Sequence, residues 1–306
     1  MILLWGLKED TPMNMVLHGL EQSGADFIFL DHRKIFSSDI DYTFDPQSGV
    51  QCIMQSQGVT TDLSRINVVY LRPHNFRDFA EMQNKAFDDP LALKAAGFET
   101  QLLAYLDASD AVVVNRSDPS ATNASKPQQL WAINNTGFKI PETFISNDKE
   151  AVKQFLLQNK EVVYKSISSV RSIVQKLSSG HMEYLDDISW CPTLFQEYLP
   201  GINYRVHVIG DIIYSVCIES DKLDYRYGNT TMIAEELPAD VAEKCKTLNS
   251  ILGLHFSGID LLRTRDDEWY CFEVNTSPAY SYFELNSGLP ISKSLIQFLL
   301  DADAKY

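Results

Sequence analysis

Residues 258–275 read GIDLLRTRDDEWYCFEVN, two apolar runs on either side of Asp266-Asp267. If those two acids form a hairpin turn, Arg265 faces Glu268 and Asp260 lies opposite Glu273. Phe272 and Val274 are good strand formers. Side chains alternate faces along a strand, so Asn275 shares the face of Glu273. Three oxygen-bearing side chains then meet on one spot. Opposed carboxylates repel across a ladder, and a hard divalent cation removes the conflict. Mg²⁺ takes oxygen ligands at about 2.0–2.1 Å, few of them from protein, with substrate phosphates completing the shell. On these residues alone a metal site and a merely solvated strand face both stay open.

Upstream, EVVYKSISSVRSIV (161–174) ends an apolar strand on Lys165. Lysine is depleted inside strands and rarely buried unpaired, and a phosphate is one natural partner. The Ser-rich bend after it (Ser166, Ser168, Ser169, Ser172) offers hydroxyls and backbone N–H groups, and Arg171 a guanidinium fork. An ordinary exposed bend explains it equally. Lys126 stands at a helix start, where anions are favoured, although lysine there is commonly solvent-facing. LFQEYLPG (194–201) presents an apolar run, one acid and a Pro-Gly stop, a segment whose backbone can meet a planar base. In the next strand Asn203, Arg205 and His207 share one face, and Tyr204, Val206 and Val208 the other, core-facing one. His207 reads as a structural histidine, and Arg226 as a residue of a polar loop.

The 306 residues suffice for a large core and two or three sub-domains. Twenty-six basic against 41 acidic residues leave a net charge of −15, which argues against general nucleic-acid or anionic-membrane binding. A local basic pocket for a phosphate compound remains allowed. The five cysteines (Cys52, Cys191, Cys217, Cys245, Cys271) form no C-x-x-C pair and read as buried free thiols in a reducing compartment. MILLWGLKED lacks a basic n-region, and no apolar run reaches membrane-spanning length. A cytoplasmic protein is expected.

The first third alternates strand and helix: ILLWG, a helix over 12–23, DFIFLD, a hairpin in 41–55, NVVYLRP, a helix over 90–107 and AVVVN. From Asn115 the texture changes to helices mixed with antiparallel hairpins, one turning at Gly210-Asp211. A helix over 239–252 and an amphipathic helix at ISKSLIQFLL close the pattern.

In this order a helix-start lysine, a strand lysine, an acidic hinge, a strand arginine and Asp…Glu-x-Asn resemble the ATP-grasp superfamily over nearly the whole chain. VVYLRP and the α/β unit before it resemble the N-terminal region of microviridin-type (graspetide) peptide maturases and their RimK-like relatives. NASKPQQL, GFKIPETFISND, VVYKSISSVRSIV, FQEYLPG, YRVHVIGD and GIDLL…YCFEVNTSPAYSYFE resemble later blocks of that group. The resemblance implies α/β and α+β architecture: a pre-ATP-grasp domain over 1–114, a central lid over 115–197 and a C-terminal ATP-binding part over 198–306.

It further implies that Lys126 and Lys165 contact ATP phosphates, and that Glu197 and Leu199 meet adenine through their backbones with Tyr198 beside them. Asn203 would lie near the ribose, and Asp260, Glu273 and Asn275 would hold one or two Mg²⁺. Arg205 would steady the γ-phosphate, with Arg226 and Arg171 as further catalytic candidates. The chain departs from the pattern in its Ser-rich phosphate loop, where glycine is common, and in Asn203, where aspartate is common. The implied activity is ATP-dependent carboxylate ligation through an acyl phosphate to an amine or hydroxyl, on a peptide as in ribosomal peptide maturation. Ligation of small amino-acid-type substrates and a nucleotide-binding regulatory module are the alternatives. A homodimer is left open.

Overall fold

Every side chain of β1 (Ile2–Gly6) is buried, as expected for a strand inside a parallel sheet covered on both faces. The computed structural model describes residues 1–47, 49–167, 175–177, 179–221 and 228–306, with backbone only for 179–184. After β1 come α1 (Thr11–Ser23), β2 (Phe27–Asp31), β3 (Asp39–Asp45), β4 (Gly49–Ser56), β5 (Val59–Asp62), β6 (Val68–Leu71), α2 (Pro90–Ala108) and β7 (Val112–Val114). β2, β1, β6 and β7 form a parallel sheet in that order, and β3, β4 and β5 an antiparallel one. Pro12 opens α1, and Gly24, at φ 68°, closes it by donating its N–H to the Glu21 carbonyl.

The second stretch carries α3 (Ser117–Ala121), α4 (Lys126–Asn135), β8 (Thr143–Ser146), α5 (Lys149–Gln158), β9 (Val162–Ser166), β10 (Gln175–Lys176) and β11 (Thr193–Glu197). It continues with β12 (Gly201–Ile209), β13 (Ile212–Ser220), β14 (Thr230–Ala234), α6 (Ala239–Ile251), β15 (Phe256–Thr264), β16 (Trp269–Asn275), α7 (Ser281–Ser287) and α8 (Ile291–Asp303). One antiparallel sheet runs β10-β9-β11-β8, and the other runs β14-β13-β12-β15-β16. Tyr204, Val206, Ile259, Leu261, Cys271 and Val274 of the larger sheet pack on Ile133 of α4 and Val241, Cys245 and Leu248 of α6. A smaller core of Val152, Phe155, Val162, Leu185 and Phe195 belongs to the smaller sheet.

By its contacts the chain divides into one unit of Met1–Asp118, Ala279–Glu284 and Pro290–Tyr306, and another of Pro119–Pro278 and Leu285–Leu289. The final helix therefore counts with the first unit. It meets α1 at Gly19, where a Cβ would lie 2.1 Å from Ile296 Cδ1. The split of the later part at 197/198 stays a proposal. Cys52, Cys217, Cys245 and Cys271 are buried free thiols, whereas Cys191 is exposed, a correction to the expectation of five buried ones. Among the described residues no helix is long and apolar enough to cross a membrane.

Candidate functional site

The β15–β16 ladder places Asp260 opposite Glu273 and Gly258 opposite Asn275, the pairing predicted from the sequence, but by another route. The turn is not the two residues Asp266-Asp267. Thr264 N–H donates to the Glu268 carbonyl at 2.9 Å and Asp267 N–H to the Thr264 carbonyl at 3.1 Å, so the loop is Arg265–Asp267. Asp267 takes the left-handed conformation at φ 61°, as a three-residue hairpin loop demands. This loop shifts the register by one, and Arg263 faces Trp269. A bulge at Phe272 restores it, because Leu261 pairs with Cys271 while Asp260 pairs with Glu273.

The bulge also decides which way the acid points. Strict alternation puts Cys271 and Glu273 on one face. Cys271 is fully buried in the core, and the extra residue lets Glu273 turn to the opposite face.

Across the sheet, β12 pairs Arg205 with Asp260, and Arg205 Nη1 donates to Asp260 Oδ1 at 2.7 Å. The guanidinium lies over Gly258, where a Cβ would stand 2.3 Å from Nη2. Gly258 is therefore part of the site's construction, although in the sequence it reads only as a glycine within a strand. Neighbouring His207 is fully buried. Burial, with the Arg205 charge beside it, pushes its imidazole well below the usual range and keeps it neutral.

Two lysines approach the second acid. Lys126 Nζ, at the first residue of α4, donates to Glu273 Oε2 at 2.7 Å, and Lys165 Nζ of β9 lies 3.6 Å from the same oxygen. Both lysine side chains are 12% exposed and that of Arg205 6%, so this is no solvated strand face. Burial works against the Glu273 carboxylate, but the ammonium charges of Lys165 and Lys126 overcome it and hold its pKa down at about 2. Burial raises the Asp260 carboxyl above its ordinary value; Arg205 opposes this and the Glu273 charge adds to it. Three cations face two carboxylates, and the spare positive charge suits a polyanion.

Asn275 sits two residues beyond Glu273 on the same face, and its Oδ1 accepts from Ser277 N–H at 3.0 Å. Among the described residues no group of three or more His, Cys, Asp or Glu side chains is arranged to hold a metal. Two carboxylates and an amide oxygen do fit Mg²⁺, which takes one or two carboxylates and leaves the remaining positions to phosphate and water.

The remaining expected residues take separate places. Glu197 ends β11, its N–H donating to the Glu142 carbonyl at 2.9 Å and its Oε1 accepting from Glu142 N–H at 2.9 Å. Tyr198 N–H donates to the Glu161 carbonyl at 2.9 Å, and Lys176 Nζ lies 3.9 Å from the centre of the Tyr198 ring. Leu199 follows in the link to β12. Asn203, half-buried, is two residues before Arg205 and on its face of the strand. Arg171, with most of the Ser-rich bend, and Arg226 lie outside the described residues.

Sequence reading also missed Gln129. Its side-chain amide donates to the Val274 carbonyl at 2.6 Å and accepts from Val274 N–H at 3.2 Å. A glutamine inside an amphipathic helix carries no signal of such a bond.

A sequence model described as an ATP-grasp domain matches residues 123–279. No curated protein sequence matches the chain. Among solved structures, the chain is similar to the ATP-grasp ligase PsnB complexed with a minimal precursor, at 26% identity and TM-score 0.83 over 98% of each chain. It is also similar to a RiPP-associated ATP-grasp ligase of Chryseobacterium gregarium in complex with ADP and a leader and core peptide. That match has 22% identity and TM-score 0.81 over 98% of this chain and 96% of the other. The macrocyclase MdnC of Microcystis aeruginosa MRC, bound with precursor peptide MdnA, matches at 18% identity and TM-score 0.83, covering 98% of this chain and 100% of the other.

Proposed function

The chain belongs to the ATP-grasp family, and from that membership we propose that it is an ATP- and Mg²⁺-dependent ligase that activates a carboxylate of a peptide and joins it to an amine or hydroxyl. The observation that carries this reading is the gathering of Lys126, Lys165 and Arg205 on Glu273 and Asp260. A peptide substrate is supported by the similarity, over nearly the whole chain, to ligases whose structures hold precursor peptides.

Asp260, Glu273 and Asn275 would hold the metal, which when bound offsets phosphate charge as the reaction proceeds. Lys126 and Lys165 would exchange Glu273 for the phosphates, and Arg205 would steady the γ-phosphate. The backbones of Glu197 and Leu199, with Tyr198 alongside, would face adenine, and Asn203 the ribose. Arg171 and Arg226 are the candidates for gripping the substrate carboxylate or the phosphate.

A carboxylate oxygen of the substrate attacks the γ-phosphorus. The bond from that phosphorus to the β–γ bridging oxygen breaks, and ADP leaves. The amine nitrogen or hydroxyl oxygen then attacks the acyl carbon, and the carbon–oxygen bond to phosphate breaks. The nucleophile gives up its proton, and the products are an amide or ester and inorganic phosphate. The protein's part is positioning and charge neutralisation.

The test is ADP release and product mass with peptides that carry acidic residues together with Lys, Ser or Thr. The wild-type chain releases ADP in step with loss of one water from the peptide. Glu273→Ala abolishes ADP release by about 10²-fold or more while leaving the fold intact. Full turnover by that variant, or ADP formation indifferent to any carboxylate substrate, contradicts the reading.

A further inference from the structure

β16 is the terminal strand of its sheet, so among the described residues the outward backbone groups of Val274 meet no strand. Gln129 takes that place. Its amide closes a two-point pair with the Val274 carbonyl and N–H, at 2.6 and 3.2 Å, and the residue is 1% exposed. Three residues earlier, one turn back on the same side of α4, Lys126 Nζ reaches Glu273 at 2.7 Å. The first turn of the helix thus grips two adjacent residues of one strand. The ionic contact can be given up to a competing anion, whereas the amide pair is neutral and offers a phosphate no charge to exchange.

We infer that Gln129 is a positioning residue for nucleotide binding: its amide pair with Val274 anchors the start of α4, and so holds the Lys126 ammonium beside the strand that carries Glu273 and Asn275. The inference rests on the reading that Lys126 contacts ATP. When the ammonium leaves Glu273 for a phosphate, the ion pair that ties helix to strand is lost and the amide pair remains. The helix start then stays registered against the acids, and the ammonium moves by side-chain rotation alone.

The experiment uses Gln129→Met, which keeps length and volume but cannot make the pair, together with Lys126→Ala and the double variant. In the nucleotide-free full chain, amide exchange at Val274 speeds about tenfold or more in Gln129→Met, because its N–H has lost its acceptor. In turnover with Mg·ATP, KM for ATP rises about tenfold while kcat changes less than about threefold. In the Lys126→Ala background the same substitution costs less than about twofold, since residues acting through one another are non-additive. Unchanged Val274 exchange, or an equal loss in both backgrounds, overturns the inference while leaving the ligase reading standing. Unchanged ATP affinity in Lys126→Ala overturns both the inference and the reading that Lys126 contacts ATP. If Gln129→Met does not fold, Gln129→Asn, one methylene too short to span both groups, replaces it in the same comparison.

Discussion

Gly258 shows how much of the site depends on a missing side chain. A Cβ there would stand 2.3 Å from Arg205 Nη2 and 2.6 Å from its Cζ. Both are at the far end of a flexible side chain, so in Gly258→Ala the guanidinium yields rather than the strand. Arg205 then loses its 2.7 Å bond to Asp260, while the core on the other face of the sheet, Val206, Ile259 and Leu261, is untouched. The expected outcome is a melting temperature within a few degrees of wild type and ATP-dependent turnover reduced by about 10²-fold, the scale of losing one preorganised electrostatic contact. Thermal unfolding and ADP release measured on the same preparation check it. A variant with full turnover would show that Arg205 need not lie across Gly258.

At the scale of elements, the β15–β16 hairpin explains what the sequence could and could not tell. Two features cancel: a three-residue loop moves the register one way and the Phe272 bulge moves it back. The pairing of Asp260 with Glu273 was legible because two-residue and three-residue loops differ by the one residue that the bulge absorbs. The bulge itself was hidden, because FEVN (272–275) alternates apolar and polar as a regular strand does. Deleting Phe272 makes Cys271 and Glu273 consecutive, and a regular strand then keeps them on opposite faces, Cys271 in the core and Glu273 with the cations. The shortened chain is expected to melt within about 5 °C of the wild type and to keep its thermal shift with Mg·ATP. Loss of that shift would mean that the bulge itself, and not only the face it gives Glu273, shapes the site. The type II′-compatible Gly210, at φ 52° between Ile209 and Ile212, was by contrast readable outright. So were the strand and helix runs of the first third, each with a clear period. Strand β14 was not, because TTMIA lies in a polar stretch without clear punctuation. Nor was Gln129, whose partner is backbone some 145 positions away.

Across the whole molecule, a net charge of −15 coexists with a local excess of cations at the one place where a polyanion is expected. Bulk composition excludes a broad basic surface but says nothing about such a cluster, which is assembled from α4, β9 and β12 around β15 and β16. Each cation was visible in the sequence as an isolated oddity, and the ordered series resembled one superfamily. The shared partner, Glu273, was visible only as an expected metal ligand. In the structure it binds two lysines, so the residues expected to hold metal and those expected to hold phosphate are bonded to one another. On the proposed roles, occupation of the site exchanges those bonds for phosphate and metal contacts, which would couple metal and nucleotide binding.

That exchange is the central claim, and a crystal structure of the chain with an ATP analogue and Mn²⁺ in place of Mg²⁺ tests it most directly. The account predicts an anomalous peak within about 2.0–2.3 Å of Asp260 and Glu273 oxygens, with Lys126 and Lys165 moved onto phosphate oxygens. A metal bound elsewhere, or a nucleotide bound while both lysines remain on Glu273, would contradict it.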